Sequence, residues 1–266
     1  PGRLGYDAPP PSHNAHPSLD AGPRGSEGVV SVTLRQRPVE ASRFICRKLA
    51  EFFLYDDVHD IVVDELAADL RRAGPNQWNL RPILLKILKS KAMFSSRAMK
   101  GKIKSPVEFA IGFLRTTEID LATAPGTSTR RLYDRLVAMG QVPLDPPDVN
   151  GWPKGTAWLA AQSMVERYNF LNFAVMQLDD VPSQIDPLLP PRGQRAPGQL
   201  VDHIAGILDV QLSGTARTRY IDYVNSQLVG DQQVPFTFDP NNNDHLKNKS
   251  RGLLWLIGQY HDGHQD

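Results

Sequence analysis

The chain has 266 residues, an apolar fraction of 41%, 22% charged residues and a net charge of +1. That length suffices for one substantial core or two small ones, and the composition is that of an ordinary globular protein. The near-zero charge gives the molecule as a whole no electrostatic case for nucleic acid or membrane, and no apolar run approaches the ~20 residues that span a bilayer. The single Cys46 excludes an intrachain disulfide, and its setting in Phe44-Ile45-Cys46 reads as a buried thiol.

Residues 1–37 carry proline and glycine clusters, Ala8-Pro9-Pro10-Pro11 and Asp20-Ala21-Gly22-Pro23-Arg24-Gly25, with little periodicity. Such a segment has too little apolar surface for a core of its own and reads as an extended arm. Its opening, Pro-Gly-Arg-Leu-Gly, has none of the parts of a signal peptide, so either the true N-terminus is missing or the chain is cytoplasmic. Val29 to Leu34 is the best strand candidate of the chain.

The helical domain is expected over 38–260, with a short tail at 261–266. Pro38 opens the first helix, where a missing N–H costs nothing. Phe44, Ile45, Leu49, Phe52 and Phe53 recur at helical spacing, with Arg43, Arg47 and Glu51 on another face. A second helix is expected from about Val58 to Ala73, with Ile61, Val62, Leu66 and Leu70 inward and Gly74-Pro75 ending it. A third starts near Asn79 and Pro82 and carries Ile83, Leu84, Ile87 and Leu88.

The cleanest start signal is Ser105-Pro106-Val107-Glu108: a capping serine, proline at the first helical position, and glutamate three residues on. A fifth helix, about Ser128 to Met139, stops at Gly140, the residue type that best adopts a left-handed cap. Gln141 to Gly155 holds Pro143, Pro146, Pro147 and Pro153, too many for helix or central strand. The longest helix should follow, from about Thr156 to Leu178, and run through the middle of the domain. Its apolar residues, among them Trp158, Val165, Phe170, Leu171 and Val175, go nearly all round. A second linker at 179–198, two helices at about 199–212 and 215–229, and a last helix at 244–260 complete an all-α array of about eight or nine helices.

Four stretches together resemble the DUF1800 family of bacterial proteins. They are Arg37-Pro38-Val39-Glu40-Ala41-Ser42-Arg43-Phe44-Ile45-Cys46-Arg47-Lys48-Leu49, Lys102-Ile103-Lys104-Ser105-Pro106-Val107-Glu108-Phe109, the Met139–Gly155 segment with Trp158, and Arg167-Tyr168-Asn169-Phe170. The resemblance covers roughly 34–260 and implies an exported protein, periplasmic or extracellular, of which this chain matches the C-terminal half. The family has no assigned function and supplies no catalytic residues to carry over.

Site candidates therefore rest on chemistry alone. Loops above ~12 residues without secondary structure are often functional. In Gln141–Gly155 proline rigidity would hold Asp145, Asp148, Asn150, Trp152 and Lys154, and Trp152 with Trp158 would offer rings to a sugar or peptide. The plainer reading is that the prolines and Trp152 pin a crossover onto the helical core. Arg167, Tyr168 and Asn169 form the second candidate: a partly buried guanidinium suits an anion, or fastens the loop by way of Asp148 or loop carbonyls. Glu108 belongs to its capping box rather than to proton transfer.

From Arg71 to Val107 there is no carboxylate, against Arg71, Arg72, Arg81, Lys86, Lys89, Lys91, Arg97, Lys100, Lys102 and Lys104. A solvated face balanced by the acidic Asp56–Asp69 region is the simplest account, ahead of an anionic polymer. Few aromatics interleave, so nucleic acid is disfavoured. His261-Asp262-Gly263-His264 sits at a terminus where fraying is the rule, and no metal site or cofactor is expected. No phosphate loop, Gly-x-Ser-x-Gly elbow or His-Glu-x-x-His motif is present.

Two functions follow. The first is a non-catalytic interaction or scaffold module docking with other protein subunits in an extracytoplasmic assembly. The second is an enzyme or binding module for an extracellular polysaccharide, with 141–155 as its cleft and Asp145, Asp148 or another carboxylate as catalyst. Glycoside hydrolysis would need paired carboxylates about 5–10 Å apart across that cleft.

Overall fold

The computed structural model describes Val30 and residues 34–72, 78–99, 101–121, 129–180 and 184–259. Among these, 61% are helical and 4% are strand, so the all-α class holds. Most of the expected arm and all of the tail lie outside the described residues. Val30 and Leu34, the described members of the strand candidate, are helical. The chain divides into two compact units, residues 1–101 and 102–266, and each has its own hydrophobic core.

The first unit packs α1 (Pro38–Phe53), α2 (Asp60–Arg72) and α3 (Leu80–Leu88) around one core. The residues that α1 buries most completely are small: Ser42, Cys46 and Ala50, one every four residues, continued by Leu54. This ridge lets α2 approach closely and lay Val63, Leu66, Ala67 and Leu70 against it. Phe44 and Phe52 consequently turn outward, 64% and 69% exposed, and only Ile45, Leu49 and Phe53 of the expected apolar face reach the core. Ile61, expected inward, is exposed for the same reason. The register that suits the small ridge leaves it on the far side of α2.

Polar ties hold this packing in register. Arg71 on α2 donates to Ser42 Oγ at 2.6 Å, and Ser42 in turn donates to the Val39 carbonyl. Arg43 meets Asp60 and Asp64, while Arg47 pairs with Asp60 and donates to the Val58 carbonyl. Asn79 caps α3 by accepting from the Arg81 N–H, and Ile83 and Ile87 complete the core.

The second unit contains α4 (Pro106–Thr117), α5 (Thr129–Ala138), a 3-10 turn (Gly155–Leu159), α6 (Ala161–Asp180), a 3-10 turn (Asp186–Leu188), α7 (Pro197–Ile207), α8 (Gly214–Val224), a hairpin of β1 (Ser226–Val229) and β2 (Gln232–Pro235), and α9 (Asn243–Gly258). Helix α6 is central, packing against α4, α5 and α9. Phe170 receives Phe109 and Phe113 edge-on at 6.0 and 6.4 Å, and Leu171, Ala174 and Val175 lie in the same core.

Two expectations fail here. The long helix does not begin at Thr156: residues 155–159 form a tight turn, and the extended backbone of Ala160 separates it from α6. That break places Trp158 inside, 5% exposed. Val165, expected inward, is 55% exposed once the helix starts at Ala161. In the second case, the segment expected to be helical to 229 leaves the helix at Val224 and pairs antiparallel, Ser226 with Pro235 through Val229 with Gln232, around Gly230 at φ +61°. A glycine-aspartate pair at the turn is the local reason.

The hairpin is held from α9. Lys249 Nζ donates to the carbonyls of Tyr223 and Ser226 and lies over the Tyr223 and Phe236 rings at 4.6 and 5.1 Å. An ammonium at the end of α8 suits the negative pole of that helix. Gly252 is required one turn further along α9, because a Cβ there would stand 1.7 Å from the Tyr223 hydroxyl.

Cys46 reports on the first unit. Burial pushes its thiol up to about 11 from 9.0, with Arg71 opposing and Asp69 adding to the shift. A folded value above the unfolded one means that the stability linked to this group is complete below about pH 9 and is lost as pH rises through 11. At neutral pH, iodoacetamide should label Cys46 only as fast as the first unit opens. Rapid labelling of the native chain, measured by mass spectrometry at increasing reagent concentration, would show that the small-residue ridge is not sealed.

Candidate functional site

The most unusual surface of the second unit is the loop between α5 and the tight turn, and it is built from both ends. At its start Gly140 adopts φ +93°, and its N–H and that of Gln141 bond back to the Val137 and Leu136 carbonyls, closing α5. The Gln141 side chain then reaches across to accept the Val107 N–H of α4 at 2.9 Å. Two turns follow: Asp145 N–H bonds to the Val142 carbonyl, and Gly151 N–H to that of Asp148. The Asp148 carboxylate accepts its own Asn150 N–H at 2.7 Å. At the loop's end Gly155 takes φ +58°.

Between these turns the chain is outside. All of 144–150 is exposed, and Leu144 and Val149 are 97% and 102% exposed, as open as side chains become. Leu144 also holds φ +68°, a left-handed conformation that costs a leucine roughly 1–2 kcal/mol. Fixed turns at both ends, two prolines between them and fully presented aliphatic tips describe a projection, not a cleft.

The sequence-derived residues separate accordingly. Asp145, Asp148, Asn150 and Lys154 all stand in solvent, Asn169 is exposed on α6, and Trp152 is half-buried. Trp158 is in the interior and presents no ring to a ligand. No pair of tryptophan faces is therefore assembled. Leu144 and Val149 were not singled out from the sequence, although apolar residues bracketing Asp145-Pro146-Pro147-Asp148 were a signal: proline fixes the backbone while neither aliphatic has a helix or strand to hide in.

Arg167 is 1% exposed, the largest fully buried side chain among the described residues. Its guanidinium donates to the Lys104 carbonyl at 2.6 Å and lies 4.9 Å over the Phe109 ring. This fastens the entry to α4, while the recorded bond of Asp148 goes to the loop's own backbone. One residue on, Ser105 and Glu108 form the expected capping box, serine accepting from Glu108 N–H and glutamate from Ser105 N–H. Glu108 is thus committed to its helix start.

The basic stretch divides in two. Lys86 bridges Glu65 and Asp69 at 2.5 and 2.6 Å, Arg72 meets Asp69, and Arg97 covers the Tyr55 ring. The hydrogen bond from Lys86 holds the Asp69 carboxyl below its ordinary range and raises the lysine in return. These residues fit the balanced face expected from the sequence. Arg81, Lys89 and Lys91 are exposed, and no ion pair joins them to a described carboxylate. Among the described residues no group of three or more His, Cys, Asp or Glu is placed to hold a metal, and no helix is long and apolar enough to cross a membrane.

The family model described as "Protein of unknown function (DUF1800)" matches residues 13–239. No curated protein and no solved structure matches the chain.

The burial pattern orders the expected costs of substitution. Trp158→Ala removes a core aromatic and should cost ~3–5 kcal/mol. Arg167→Met removes the donor that Arg167 offers to the Lys104 carbonyl and should cost ~1–3 kcal/mol. Trp152→Ala, at a half-buried position, should cost only about 1 kcal/mol. Denaturant titration of the three variants checks the order, and a Trp152 variant as damaged as the Trp158 one would contradict it.

Proposed function

The chain belongs to the DUF1800 family, whose description assigns no activity, and we propose that it is a non-catalytic interaction module docking into a larger assembly outside the cytoplasm. The observation that carries this reading is the Leu144–Val149 projection. Exposed single aliphatics are common and mean little. Here two of them are fully open, on a segment already ordered by its own turns, and one is held in a strained conformation. A preordered loop loses little entropy on docking, which suits recognition of a protein surface. Strain kept at an exposed position without internal packing is compatible with selection for presentation.

The carboxylates do not favour catalysis. A glycosidase sets two carboxyls on either side of the scissile bond, one as acid and the other as base or nucleophile, in a site that encloses the sugar. Asp145 and Asp148 stand exposed on the outside of the loop, where no surrounding side chains enclose a substrate against them. The location outside the cytoplasm rests on the family resemblance and is part of the proposal.

Leu144→Gly separates docking from folding. Glycine relieves the left-handed strain, so the variant should be as stable as the parent or more stable by ~1 kcal/mol. The same change removes one of the two presented side chains. With Val149→Ser added, native co-purification from the source organism should lose the partner proteins that the parent chain retains, at an unchanged melting temperature. Retention of every partner by the stable double variant would remove the loop from the interface. Polysaccharide binding by the parent that disappears in Trp152→Ala would replace this reading with a carbohydrate-binding one.

A further inference from the structure

Helix α3 has two apolar sides. Ile83 and Ile87 are buried in the first unit's core. On the opposite side Arg81, Leu85, Leu88 and Lys89 follow one another at positions i, i+4, i+7 and i+8, so they share one face. Leu85 is 45% exposed and Leu88 39%, and a cation stands at each end of the pair. In the turns that follow the helix, Lys91 is exposed and Phe94 is 73% exposed. Immediately behind it, Met93 and Ala92 pack on the core, so the turn is anchored while Phe94 projects.

We infer that this face is a peripheral docking surface for an anionic lipid bilayer. A helix that lies in the headgroup region needs an aliphatic or aromatic side to enter the acyl boundary and cations beside it for the lipid phosphates. Leu85, Leu88 and Phe94 supply the first, and Arg81, Lys89 and Lys91 the second. The long stems of the cations allow their heads to stay at phosphate level while the leucines go deeper. Glu65 and Asp69 of α2 are engaged by Lys86 on the flank of the helix, and no ion pair joins a described carboxylate to the three outer cations.

The apolar component decides between anionic partners. A nucleic acid would use cations and flat rings but leave two leucines unburied. A membrane surface uses the leucines of the helix face together with the cations beside them, and the exposed Phe94 ring adds to the apolar side. The helix lies on such a surface and does not cross it, consistent with its nine residues and the amphipathic packing on the opposite side.

Co-sedimentation of the full chain with vesicles tests this. Vesicles of phosphatidylcholine and phosphatidylglycerol should bind at low salt; phosphatidylcholine alone should not, and high salt should release the protein. Lys89→Glu with Lys91→Glu, surface changes that leave the core intact, should weaken binding by at least ~25-fold, about fivefold per neutralised charge. Phe94→Ser should weaken it by roughly tenfold through lost insertion. Protection of Cys46 from alkylation verifies that each variant is folded. Absence of binding to the anionic vesicles overturns the inference. So does binding that survives Phe94→Ser unchanged, or capture by soluble polyglutamate that matches the vesicles, since either would make the face a site for an acidic polymer or protein.

Discussion

The second unit depends on how the entry to α4 is anchored. A guanidinium with 1% of its surface exposed is costly to bury, and the hydrogen bond from Arg167 to the Lys104 carbonyl and the Phe109 ring face beside it offset part of that cost. The same ring of Phe109 leans on Phe170, three residues along α6 from Arg167. Helix α6 thereby carries both the cation that holds the chain before α4 and the aromatic that holds the helix itself. Gln141 accepts the Val107 N–H, and Ser105 accepts that of Glu108, so free amides of the first turn find partners in the chain. The start of the projecting loop is bonded to this junction. Its position follows from the packing of α4 on α6.

What was legible in the sequence was punctuation. Ser105, Pro106 and Glu108 announced a helix start, and Gly140 a helix end, because capping is decided within four residues and needs no tertiary information. The location of α6 at the centre was also readable from apolar residues around much of its circumference. The side that α1 buries was not. Hydrophobicity alone favours Phe44 and Phe52 as inward residues, but close approach of two helices is governed by the size of the ridge between them, and Ser42, Cys46 and Ala50 make the thinner one. Trp158 was misread for a related reason: its burial required a break at Ala160, a tertiary compromise that helical propensity does not reveal. Arg167 was recognisable as a fastener, but a one-dimensional pattern cannot say which carbonyl it fastens.

Net charge was the least informative global quantity. A total of +1 conceals a segment from Arg71 to Val107 that has no carboxylate at all. Spatial neighbours then sort that segment. The cations facing α2 are neutralised by Glu65 and Asp69, while those at the outer side of α3 are not. A single helix is therefore electrostatically ordinary on one flank and basic on its outer face, and only the second can act at a distance of a Debye length, about 8–10 Å in physiological salt.

The loop and the α3 face present apolar groups in opposite ways, and that difference bears on what each can recognise. On α3 the leucines belong to a regular helix that would fold the same way with polar residues in their place, since its core contacts come from Ile83 and Ile87. Such a face tolerates an imprecise, fluid counterpart. The loop is the reverse case. Leu144 occupies a conformation that glycine would hold more cheaply, between turns fixed by Val142, Asp148 and Asn150. Rigid presentation of a strained side chain gains nothing against a fluid surface, which adapts to any geometry, and gains most against a partner with a pocket of fixed shape. On the readings proposed above, the loop suits a folded protein and the helix face a lipid interface.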